Sequence, residues 1–241
     1  MKTKIIAITM FLTVFAVSAQ KNQQSIETYQ YGANENCTVI TLEFEKGKSH
    51  NHPLFAIWLA DEKGKFIQTL YVSKSIGKGV FEHGNRNSGK WLPGEIQRPA
   101  ALPYWAHQRG ILNEYGTYLP TPKNPEIDAR TGATPSGNFI MVFKTEKPLK
   151  GKFKIMLEVN QSWDWNDYWN NNKFPDDKEY KTSSQPALVY CVDIEAGKNQ
   201  EYEMKPIGHS HYSGKDGSLT TDLSTLTTAL NIANKITVNV N

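Results

Sequence analysis

Short runs of β-branched and aromatic residues, each closed by Gly, Pro, Asn or Lys, restrict this chain more than any other feature. CTVITLEF at 37–44 alternates with a period near two, as a half-buried strand does. Leu54–Leu59 and Phe66–Val72 flank Asp61-Glu62-Lys63-Gly64-Lys65, the pattern of a β-hairpin with a Gly-containing turn. Asn138–Phe143 and Phe153–Val159 are joined by a Lys/Pro/Gly turn, and Ala187–Ile194 and Ile236–Val240 are further strand candidates. The expected fold is all-β: an antiparallel sandwich with long loop insertions and at most one or two short helices.

The connections carry less pattern. Residues 76–98, rich in Gly, Asn and Lys, read as a long loop, and Pro99–Leu112 as one short helix around Trp105. Leu119–Pro125 holds three prolines in seven residues and makes a stiff, extended connection. Residues 160–186 form a second long loop. Ser218–Ala233 is ambiguous, because Asp222 suits a helix cap while its threonines suit a strand.

The N-terminus reads as a targeting segment. Lys2 and Lys4 form a basic region, Ile5–Val17 an uncharged apolar run, and Val17-Ser18-Ala19 the small residues a signal peptidase requires. The apolar run is shorter than the about 20 residues that span a bilayer. The expected organisation is a signal peptide at 1–19, a flexible leader at 20–34 and one domain at 35–241. The mature protein is expected to be periplasmic or secreted, with no direct membrane insertion. Cleavage removes two lysines from 27 basic residues and leaves 25 against 24 acids. That balance provides no counterion-release drive, so nucleic acid is not an expected partner.

Export permits a disulfide between Cys37 and Cys191, which would close a loop of over 150 residues; two separately buried thiols are the alternative. His50-Asn51-His52 and His209-Ser210-His211 are H-x-H pairs. On a strand each pair shares a face and could present His50 with His52, and His209 with His211, to one metal. Trp163, Trp165, Tyr168 and Trp169, interleaved with Asp and Asn, could stack on a sugar or grip a partner. They could equally fold back over the open edge of the sandwich. The G-x-S-x-G, H-E-x-x-H, phosphate-loop and G-x-G-x-x-G signatures are absent, and no catalytic residues are identified.

Asp128-Ala129-Arg130-Thr131-Gly132-Ala133-Thr134 resembles the D-x-x-[ST]-G-A-[TS] acceptor sequence of flavin-carrying exported proteins. The resemblance implies FMN linked through its phosphate to Thr134 by a flavin transferase. Asp128 and Thr131 would be recognised by that enzyme, and Gly132 would leave room for it. A structural turn entering the next strand is the competing reading of the same residues.

Five blocks together resemble the uncharacterised bacterial family of predicted periplasmic proteins, a domain of unknown function. They are PLFAIWLADEKGKFIQTL at 53–70, DARTGATPSG at 128–137, KGKFKIMLEVNQSWDWNDYW at 150–169, SQPALVYCVDI at 184–194 and GHSHYSGKDGSLTTDLSTLTTA at 208–229. The resemblance implies an immunoglobulin-like β-sandwich and an association with flavin transferases and PepSY-type membrane proteins. It implies no activity, and 76–127 looks longer than the family pattern. Three functions follow as expectations: an exported non-catalytic accessory or binding protein, a periplasmic electron-transfer protein carrying FMN on Thr134, or a metal-binding periplasmic protein.

Overall fold

A computed structural model describes residues 26–85, 90 and 92–241. The expected signal peptide and the first residues of the expected leader lie outside the described residues. The elements run β1 (Glu27–Tyr31), β2 (Val39–Lys46), β3 (Leu54–Asp61), β4 (Phe66–Ser73), α1 (Lys74–Lys78), β5 (Val80–Asn85), β6 (Leu92–Glu95) and α2 (Pro103–Arg109). They continue through β7 (Thr131–Gly132), β8 (Phe139–Lys144), β9 (Lys152–Asn160), α3 (Tyr180–Ser183), β10 (Leu188–Glu195), β11 (Glu201–Glu203), β12 (Lys205–Ser210), β13 (Leu219–Thr220) and β14 (Ala233–Val240).

A sheet ordered β1-β8-β2-β14-β11 faces one ordered β13-β12-β10-β9-β3-β4-β7, and β5 pairs with β6 as a separate two-stranded arm. The all-β sandwich expected from the sequence is therefore present, with three short helices rather than one or two. The sheets are mixed, not purely antiparallel: β1 lies parallel to β8, and β7 parallel to β4.

Period-two alternation builds the core. Ile40, Leu42 and Phe44 of β2 and Phe139, Met141 and Phe143 of β8 point across to Phe55, Ile57 and Leu59 of β3 and Ile155, Leu157 and Val159 of β9. The seven-stranded sheet is also covered on its outer face. Ala56, Trp58, Met156 and Val189 pack there against Leu102 and Trp105, which arrive with α2. Burial on both faces explains why 54–60 reads as an unbroken apolar run.

Three sequence expectations need correction. Tyr29 and Tyr31 of β1 pack against the core, so the leader at 20–34 is in part a sheet strand. The 76–98 loop holds the end of α1 and the β5–β6 arm; Gly79, at φ 65°, ends α1 and turns the chain straight into β5. Residues 218–233 form neither a long helix nor a long strand. The hydroxyls of Thr225 and Thr228 bond to the Trp169 indole and to Asp164, which ties this segment to the aromatic loop.

Candidate functional site

β7 carries the acceptor-like segment to the seven-stranded sheet, pairing Thr131 with Val72 and Gly132 with Ser73. Glu126 anchors the start of this segment: its backbone N–H donates to Gly77 O at 2.7 Å. Its buried carboxylate receives Arg109 at 3.3 Å and Arg130 at 3.2 Å. A carboxylate gripped by two guanidinium groups fixes the chain that follows. Asp128 is 95% exposed and pairs with Lys78 at 2.7 Å, which holds its carboxyl below the usual range. Lys78 also donates to Glu126 O, tying α1 to the segment.

Gly132 fits because nothing larger does. A Cβ there would lie 2.4 Å from the Tyr31 hydroxyl and 3.1 Å from the Tyr71 ring. Tyr71 donates toward the carbonyls of Gly132 and Ala133, at 3.2 and 3.0 Å, and burial pushes its own ionisation up. Thr134 follows, half-buried, with Oγ1 3.0 Å from Ser73 Oγ. Ser73 is 1% exposed and also accepts the Phe55 N–H at 2.9 Å. The Thr134 side chain is thus held by a buried hydroxyl that itself has a fixed partner.

Thr134 and Ala133 line a cleft of about 1010 Å³ between the sandwich and the β5–β6 arm. Among the described residues its lining includes Lys74, Lys90 and Arg98, Lys78 in its pair with Asp128, and the carboxylate Glu82. A concentration of ammonium and guanidinium groups beside a hydroxyl suits an anion such as a phosphate ester. The volume suits a cofactor-sized guest, for which pockets of roughly 300–1,000 Å³ are usual. The residues present therefore fit FMN carried on Thr134.

The other expected sites fare differently. His50 and His52 occupy a bend, not a strand, and His52 has φ 51°. The His50 ring packs against Phe44 at 5.8 Å, and burial lowers its basicity; His52 instead lines the cleft. His209 ends against Trp169 at 6.0 Å, whereas His211 lies beyond β12 and stacks on Tyr212 at 4.4 Å. Among the described residues, no group of three or more His, Cys, Asp or Glu is placed to hold a metal ion. The shared-face argument fails because neither pair lies wholly on a strand.

The aromatic loop divides. Trp169 is 6% exposed and donates to Thr225 at 3.1 Å, while Trp165 packs edge-on to buried Tyr180 at 5.6 Å. Those two rings close the sandwich edge. Trp163 and Tyr168 remain 60% and 49% exposed, and Trp163 has φ 65°, uncommon for a bulky residue. Both cysteines are free. Cys191 packs on the outer face of the seven-stranded sheet, while Cys37 sits in a bend before β2 of the other sheet, so the expected bridge does not form.

Sequence reasoning missed the arm, the cationic lining and Glu126. The usable signal was Lys74 and Lys78, four residues apart and just after the β4 run. Missed too was Glu158, fully buried beneath α2. No protein-family model, curated protein or solved structure matches the chain.

Proposed function

We propose that this protein is an exported electron-transfer β-sandwich that carries FMN, joined through its phosphate to Thr134. The observation that carries this reading is the opening of Thr134 into a cationic cleft of cofactor size. A structural turn alone would not need the cleft. When bound, FMN supplies the redox chemistry. The chain's own residues orient and shield: Ser73 holds Thr134 Oγ1, Glu126 with its two arginines fixes the segment, and Lys74 offsets phosphate charge.

The basic and apolar segment at 1–19 supports export to the periplasm or beyond. A flavin transferase would load the protein, with Asp128 and Thr131 as its recognition points, and a PepSY-type membrane protein would exchange electrons with it. The test is co-expression with a flavin transferase, followed by intact mass and in-gel flavin fluorescence. A fluorescent band with the mass of one added FMN, lost in Thr134→Ala and kept in Thr134→Ser, is expected. A colourless wild-type protein, under conditions that load an established acceptor, refutes the reading.

A second reading, the exported non-catalytic binding module, draws on Trp163 and Tyr168. Two exposed rings, one on left-handed backbone, suit stacking on a glycan or a partner surface. Loss of glycan or partner capture in Trp163→Ala/Tyr168→Ala, with flavin loading unchanged, would support it.

A further inference from the structure

The β5–β6 arm lines the same cleft as Thr134. Lys74 directly follows Ser73, whose hydroxyl touches Thr134, and lines the same cleft as Thr134. The arm contributes Val80, Phe81 and Pro93 to that cavity, with Glu82, His83 and Asn85 beside them.

The arm is tied to the body of the protein. The Ile96 N–H donates to Gly79 O at 3.1 Å and closes the base of the arm. The Arg98 guanidinium lies over the Phe81 ring at 4.7 Å and donates to Ser162 Oγ at 2.9 Å, which links the aromatic wall to the loop after β9. Both the ring and the guanidinium line the cleft, and each is a planar surface on which an aromatic ligand can stack.

We infer that the arm is a seat for the flavin ring. The phosphodiester lies on the Lys74 side of the cleft, and the isoalloxazine packs against Phe81 rather than trailing into solvent. The inference rests on the FMN reading and adds to it a place for the ring. A basic side chain next in sequence to the residue that holds the acceptor hydroxyl, and an aromatic ring in the same cleft, match a ligand that is anionic at its phosphate and aromatic at its far end.

The test uses the full exported chain loaded with FMN by a co-expressed transferase, with occupancy read first by intact mass. Acrylamide, a neutral quencher that the cationic cleft does not concentrate, then reports exposure of the ring, and steady-state anisotropy reports its freedom. In the wild type, quenching well below that of free FMN and high anisotropy are expected. Phe81→Ala should raise quenching and lower anisotropy at equal occupancy, and Phe81→Leu should retain most of the shielding. If Phe81→Ala unfolds the arm, Pro93→Ser provides the same comparison from the other strand. Fully loaded wild-type protein quenched as readily as free FMN would overturn the seat while leaving the FMN reading intact. Absence of the FMN mass would overturn both, and registers before any optical measurement.

Discussion

Replacing Glu158 with Gln should reverse sign in its effect on stability as pH rises. Glu158 projects from β9 beneath α2, fully buried, and accepts the Tyr104 and Trp105 N–H groups at 3.1 and 2.8 Å. These bonds satisfy two open donors at the start of α2. Burial nevertheless outweighs them and raises the carboxyl to about 8. The protonated acid is therefore favoured by folding. Its contribution is complete below the ordinary glutamate value near 4.5 and is lost as pH climbs through 8. That interval corresponds to on the order of 5 kcal/mol above pH 8. Gln keeps one carbonyl oxygen but turns an NH2 donor toward the second N–H, where the protonated acid keeps a hydroxyl oxygen that can accept; the loss is about 1–2 kcal/mol. At pH 5, Glu158→Gln should thus be the less stable protein, and at pH 9 the more stable. Urea unfolding of both proteins at pH 5, 7 and 9 measures the difference directly, with other titrating groups cancelling. Parallel curves across that range would refute the claim that ionising Glu158 is penalised.

Gly132→Ala places a methyl group against Tyr31 and Tyr71; it should cost about 1–3 kcal/mol in urea unfolding and reduce flavin loading of Thr134. Trp105→Ala empties the outer core and strands the Thr69 hydroxyl, bonded to the indole at 3.2 Å; a loss of about 3–5 kcal/mol in the same assay is expected. Iodoacetamide under denaturing, non-reducing conditions should label both Cys37 and Cys191, and intact mass would expose a disulfide as two unlabelled sulfurs.

Strands on the sandwich's inner face were legible because alternation and burial coincide there. CTVITLEF displays its inward set, Ile40, Leu42 and Phe44, directly in the sequence, although Cys37 itself falls outside the strand. β1 was not legible: its polar composition hides the fact that Tyr29 and Tyr31 supply its packing from one face. The arm was missed because Gly84 and Gly94 dilute β-propensity; each lies so close to the other strand that a Cβ would meet its backbone. Of the candidate site, Thr134 and its segment were readable as a motif. The cleft was not, since its lining comes from residues 52 to 134 and only folding assembles it. The histidine pairs misled because spacing is informative only once a strand is assured, and bends intervene.

The flavin assignment meets its most direct test in tandem mass spectrometry of the proteolytic peptide containing Thr134, taken from protein exported alongside a flavin transferase. The expected result is a fragment series that places one FMN on Thr134, with Thr131 and Ser136 unmodified. An unmodified Thr134 peptide, from cells that load an established acceptor in parallel, would contradict it.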